Sequence, residues 1–318
     1  MKIIPIAFDS YGVRSMATIV ETDEHRIFID PSVALAPRRF GIRPTEIEIR
    51  AMEYCRKNII NLSKKCDIIF ISHYHYDHFP RPKDTELYEN VFTGKIVFAK
   101  DPYNNIHPSG ARRGRIFEKI VRELAEEVHW ADNTSFENLT FSPPVWHGAE
   151  GSKVGRVIMI KIADETNFSF IHASDAQGLA DEQALRWVMN QNPDFLIIDG
   201  YPTYLVGSKL SREEFNIGMR NMKLLIEKIN TKVIILDHHI LRDSEYKTKI
   251  SDFYELARIK NKIIFTAAEY LGMPNLFLEP YRREIAKKEI LVDVDNYYSI
   301  LSLKLTNISN KETKISIF

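Results

Sequence analysis

Ser72-His73-Tyr74-His75-Tyr76-Asp77-His78 decides how the rest of this sequence is read. It is delivered by the apolar run Asp67-Ile68-Ile69-Phe70-Ile71, which has the length and composition of a buried strand. On an extended backbone, side chains two positions apart share a face, so His73 and His75 can hold one metal ion together. Asp77 and His78 follow the strand, where a turning chain can aim them at a second position close by. Imidazole and carboxylate are intermediate donors suited to zinc, iron or manganese. Four such residues in so short a stretch are poorly explained as core packing. Tyr74 and Tyr76 alternate with the first two histidines, so their rings are expected to face away and pack under the sheet.

Upstream, residues 3–8, 16–21 and 26–30 read as strands separated by turn-forming segments. Residues 45–64 change to helical spacing, with Thr45 and Glu48 in position for a capping box. Downstream, residues 95–99 and 141–146 read as strands around a helix at about 113–126. Residues 156–163 and 167–173 form a hairpin-like pair, followed by a helix near 181–190 and a strand at 195–199. Ser211 and Glu214 make a second capping box for a helix to about residue 230, before a strand at 232–236. Strands followed by βα units occur in both halves, which predicts sheets covered by helices on their outer faces. At the end, Leu301, Leu303 and Leu305 alternate with polar residues, as do Ile315 and Ile317, and a terminal hairpin is expected there.

The composition narrows the function classes. The chain has 318 residues, 44% hydrophobic and 27% charged, which is ordinary globular usage. Lys plus Arg equals Asp plus Glu at 43 each, so no overall field holds the chain on nucleic acid or an anionic membrane. An anionic substrate has to be caught locally. The N-terminal apolar run is too short for a signal peptide and no stretch is long enough to span a membrane, so a soluble cytoplasmic protein is expected. Cys55 and Cys66 are too few and too far apart for a disulfide scaffold or a metal knuckle, and are expected as buried thiols.

The HxHxDH stretch resembles the signature of the metallo-β-lactamase superfamily. The rest of that pattern is present in order: Asp30 ends a strand before the motif, and His147 in Pro-Val-Trp-His-Gly, Asp175 in Ser-Asp-Ala and the run Asp237-His238-His239 follow it. The resemblance implies an α/β (α+β) chain folded as an αββα sandwich, here one domain over residues 1–318, with 273–318 as a C-terminal extension packed on it. It implies that His73, His75 and His147 hold one metal and Asp77, His78 and His238 or His239 the other, with Asp175 between them. His238 is favoured slightly, and Asp30 and Asp237 are expected to support ligands by hydrogen bonds. Within the superfamily the wording of the motifs is most similar to an uncharacterised archaeal family of predicted metal-dependent hydrolases related to sugar-phosphate lactonases.

The expected function is therefore a metal-dependent hydrolase with two divalent ions, zinc foremost and iron or manganese as alternatives, acting on a small ester, lactone or phosphoester, anionic or neutral. Two ions generate hydroxide near neutral pH, with Asp77 orienting it or passing on its proton. A nuclease of the same fold or an iron-dependent oxidoreductase are the alternatives; the balanced charge speaks against the first and the missing flavin domain against the second. Nucleic acid and membrane partners are not expected, and a homo-oligomer is compatible with the sequence. Arg112 and Arg113 in the basic stretch 101–115 are candidate anion clamps against a solvated helix start, and Tyr201 is a candidate for the mouth of the site. His172, inside a strand, is expected as a satisfied interior histidine, and His25 and His129 at the surface.

Overall fold

The computed structural model describes residues 1–310. One sheet has the order β1 (Lys2–Phe8), β2 (Met16–Glu21), β3 (Arg26–Ile29), β4 (Ile68–Ile71), β5 (Ile96–Ala99) and β6 (Glu127–Trp130). The first three strands are antiparallel and the last four parallel. Parallel pairing needs crossovers. These are α1 (Glu46–Ser63), α2 (Thr85–Phe92) and α3 (Pro108–Leu124). Thr45 caps α1 through the expected box with Glu48.

The second sheet starts from β7 (Ser135–Phe136) and β8 (Leu139–Phe141), while β9 (Val145–Trp146) pairs with β10 (Arg156–Val157) as a separate ribbon. The sheet continues through β11 (Ile160–Ala163), β12 (Ser169–His172), β13 (Phe195–Asp199), β14 (Val233–Asp237) and β15 (Ile263–Phe265). From β12 on the pairing is parallel, with α4 (Glu182–Gln191), α5 (Arg212–Lys228), and α6 (Tyr246–Lys249) with α7 (Ser251–Ile259) as crossovers. The strand expected over 141–146 is broken because Pro143 and Pro144 have no N–H to give a ladder.

The two sheets face each other across an aromatic core, where Phe70 and Phe98 of the first meet Phe141 of the second at 5.3 and 5.1 Å between ring centroids. Strands covered on both faces are apolar throughout. In β13, Phe195 and Ile197 join the core between the sheets, while Leu196 and Ile198 pack with Leu185, Val188 and Leu225 under α4 and α5. Helices therefore flank both sheets, giving the αββα arrangement.

Two antiparallel steps restore direction, so β1, β3 and β4 end at the same edge, at Asp9, Asp30 and His73. The parallel strands β12, β13 and β14 end at Asp175, Asp199 and His238. The two sets of ends meet: Ser174 Oγ donates to Ser72 Oγ at 2.7 Å, and Asp9 lies 2.7 Å from His238.

The chain closes with α8 (Ala267–Tyr270), α9 (Arg282–Ala286) and α10 (Val294–Asn310). Leu301, Leu303 and Leu305 do not form the expected hairpin strand but belong to α10. Alternation over three residues fits a helix equally well once Val294, Tyr297 and Tyr298 extend the stripe upstream. Leu301 and Leu305 are buried with them, and Leu303 is 63% exposed. Ile315 and Ile317 lie outside the described residues. Tyr298 donates to the Tyr11 carbonyl at 2.6 Å, and the fully buried Arg282 is bound to Glu48 of α1. Both cysteines are buried thiols. Among the described residues no helix is long and apolar enough to cross a membrane.

Candidate metal centre

After β4 the chain turns tightly, with the amides of His78 and Phe79 both donating to the His75 carbonyl. His73 and His75 stay together, their ring centroids 4.6 Å apart, and His147 arrives from the end of β9 at 5.5 and 5.0 Å from them. One donor atom from each of His73, His75, His147 and Asp175 lies within 4.8 Å of the others. Asp77, His78 and His238 form a second such group, and Asp175, His238 and His239 a third that overlaps it.

Asp175 joins these groups. Its Oδ2 is 2.9 Å from His147 Nε2 and 3.4 Å from His73 Nε2, while its Oδ1 is 3.0 Å from His78 Nε2 and 3.4 Å from His238 Nε2. Donors that share an ion at about 2.0–2.2 Å sit about 3–3.5 Å from one another. His73 Nε2, His78 Nε2 and Asp175 Oδ1 are nevertheless buried with no hydrogen-bond partner. Buried polar atoms are rarely left so.

Strand-ending aspartates hold the imidazoles from behind. Asp30 accepts from the Ser72 amide and hydroxyl and meets His78 Nδ1 at 2.8 Å; Asp9 meets His238 Nδ1 at 2.7 Å; Asp199 meets His239 Nδ1 at 2.7 Å. Asp237 takes another role than the one expected from its position. It accepts from the backbone amides of Ser10, His238 and Ala267 and, among the described residues, from no imidazole, and burial pushes its carboxyl up to about 6. Asp30, Ser174 and His238 have φ of 49, 48 and 66°, left-handed conformations that cost energy in non-glycine residues and cluster at functional sites.

The site is electrostatically tuned. Burial alone would raise the Asp175 carboxyl, but His78, His238 and His73 hold it well below the ordinary range. Burial and then His78 lower His73 to about 4, so it is a neutral donor at pH 7. Burial opposes the charged form of His78 as well, yet Asp175 and Asp30 raise it to about 10. A cation bound there displaces that proton.

An open cavity of about 650 Å³ gives onto this centre. His75, Asp77, His147, Asp175, His239 and Arg242 are among its lining residues, while the buried His73, His78 and His238 are not. His239 is partly exposed and His238 is fully buried, so the adjacent histidines occupy different depths. Arg112, Arg113 and Tyr201 are not on its walls. α3 begins at Pro108, so the basic stretch is helical from there on; Arg112 is exposed, and Arg113 donates to the Tyr74 carbonyl at 2.9 Å and covers the Tyr76 ring. Tyr201 is buried against Gly218 and Phe215 of α5. His172 is an interior residue, its Nε2 at 3.0 Å from the Met16 carbonyl. Asp9 and Arg242 were not singled out from the sequence, and Asp199 stood out only as the start of the stretch 199–204 considered with Tyr201 for the mouth of the site. Asp9 and Asp199 carry the signal that marked Asp30, an aspartate closing an apolar strand.

The beta-lactamase superfamily domain is matched over residues 25–239, which takes in every one of these histidines and aspartates except Asp9. The chain belongs to the beta-lactamase superfamily. It belongs within it to the UPF0282 proteins. The UPF0282 protein of Pyrococcus horikoshii is 40% identical over 301 residues, covering 91% of this chain and 94% of that one. The UPF0282 protein of Methanopyrus kandleri is 36% identical over 300 residues, covering 91% and 100%. Among solved structures, isothiocyanate hydrolase from Delia radicum gut bacteria superposes with a TM-score of 0.51 at 14% identity, over 80% of this chain and 95% of that one. That likeness shows the shared fold.

Proposed function

We propose that this superfamily member is a hydrolase with a dinuclear metal centre, in which His73, His75 and His147 hold one divalent ion, Asp77, His78 and His238 the other, and Asp175 both. The observation that carries this reading is the set of buried, partnerless donor atoms of His73, His78 and Asp175, converging at separations that suit shared ions. Zinc is the foremost candidate, given the nitrogen and oxygen donors, with iron or manganese as alternatives. Ions bound by such donors supply Lewis acidity and a water of lowered pKa. Asp30, Asp9 and Asp199 fix the imidazole orientations. Asp77 is held in its ionised form, chiefly by His78 and His238 against the effect of burial, and Oδ2 of this cavity residue can take a proton and deliver it to a leaving group. His239, held by Asp199 and lining the cavity, is placed to touch substrate. The cavity suits a small ester, lactone or phosphoester, sugar-phosphate lactones included.

Elemental analysis of protein loaded with zinc, manganese or iron tests this directly. Two equivalents per chain are expected, with at least one lost in Asp175→Ala together with all hydrolysis on a panel of lactones, phosphodiesters, thioesters and isothiocyanates. A wild-type chain that retains none of the three metals would refute the reading.

A further inference from the structure

Arg242 stands in the centre without a sequence signal to announce it. It closes the short turn His238–Arg242, its side chain is 4% exposed, and Nε donates to Asp9 Oδ1 at 2.8 Å. Asp9 Oδ2 meets His238 Nδ1. One carboxylate thus sets a guanidinium beside an imidazole, with Arg242 Nη2 at 3.1 Å from His238 Nε2 and 3.6 Å from Asp77 Oδ2.

An imidazole nitrogen has one lone pair. The contact from Nη2 and a metal bond at His238 Nε2 therefore exclude each other. When Nε2 ligates an ion, Nη2 loses its one hydrogen bond in a nearly dry position and keeps only the longer contact to Asp77 Oδ2, and an unmade hydrogen bond there is costly. Nη1 makes no hydrogen bond among the described residues. The guanidinium is left with two N–H-bearing atoms beside the ions, at the wall of the cavity. A planar fork of this kind matches two oxygens of an anion.

The remaining charges agree. Beyond the aspartates of the centre, Lys153 and Lys209 line the cavity against Glu150 and Glu214, and Arg14, also on its wall, is paired with Glu279 at 2.6 and 2.7 Å. Glu214 is engaged by the amide and hydroxyl of Ser211, and Lys153 and Lys209 are exposed.

Resting on the metal-centre reading above, we infer that Arg242 binds an anionic group of the substrate, a phosphate or carboxylate that presents two oxygens, next to the metal centre. Zinc-loaded wild type, Arg242→Lys and Arg242→Gln titrated calorimetrically with inorganic phosphate and with acetate, with zinc content measured on each sample, test this. The tighter probe names the anion. Arg242→Lys keeps the charge but not the fork, and is expected to bind that probe about 10-fold or more weakly with zinc content unchanged; Lys209→Gln is expected to lose less. Unchanged affinity in zinc-replete Arg242→Lys, or no binding of either probe to zinc-loaded wild type, overturns the inference and leaves the metal centre standing. Failure of wild type to take up zinc, manganese or iron removes both. If both variants lose zinc, crystals of the zinc-loaded wild type grown with phosphate decide: phosphate oxygens on Arg242 Nη1 and Nη2 uphold the inference, and phosphate bound elsewhere refutes it.

Discussion

Asp9→Asn separates the two jobs of one carboxylate. Asp9 is 8% exposed, accepts from Arg242 Nε at 2.8 Å and meets His238 Nδ1 at 2.7 Å. Asparagine keeps the shape but offers one oxygen and an NH2 group, so one of these donors is left facing another donor. Burial favours the neutral acid, but Arg242 and then His238 keep Asp9 ionised, so the pair is charged in the wild type. Removing one partner of a buried ion pair costs about 3–5 kcal/mol. Loss of a hydrogen bond that orients a ligand imidazole costs about 10–100-fold in metal affinity. Urea unfolding of the metal-free protein reads the first effect, and competition for zinc with a chelator reads the second. Metal-free Asp9→Asn is expected to be less stable by the first amount and zinc binding weaker by the second. Wild-type values in both assays would refute the arrangement; a stability loss with unchanged zinc affinity would show that Asp9 supports Arg242 and not the ligand.

His238→Ala is expected to lose the metal of the Asp77-His78 group, while His239→Ala keeps its metal content and loses activity; equal losses of metal would make both histidines ligands. In α10, Leu301→Ala is expected to cost about 2–5 kcal/mol as a large-to-small change in the core. Leu303→Ala is expected to stay within about 0.5 kcal/mol as an exposed change. Comparable losses in urea unfolding would argue against the helix.

The fold was legible where both faces of a strand are buried, because β4, β13 and β14 are apolar runs that lead into Ser72-His73, Asp199 and Asp237-His238. The first cluster of candidate ligands was legible because His73, His75, Asp77 and His78 fall within six positions. What was not legible depends on contacts between distant segments. Asp9 is separated from His238 by 229 positions, and nothing local in Phe8-Asp9-Ser10 says that a histidine will arrive there. Arg242 belongs to the same case. Arg112 and Arg113 drew attention through local charge density, but Pro108 starts α3 early and turns Arg113 onto Tyr74 and Tyr76. The leucines of α10 were misread because three alternating residues satisfy two periods, and only the tyrosines before them choose one.

The supports of the centre are spread from the first strand to the fourteenth, and this has a consequence for how the protein is made. A chain emerging from the ribosome has His73, His75, His147 and Asp175 in hand long before His238 and Arg242 are synthesised. On the proposed two-ion reading, the donors of the first position are synthesised before His238, and the second position waits for β14 to dock beside β13 and bring His238 to Asp9. On the same reading, a product terminated between Asp175 and His238 lacks both His238 and Arg242 and cannot complete the proposed second position.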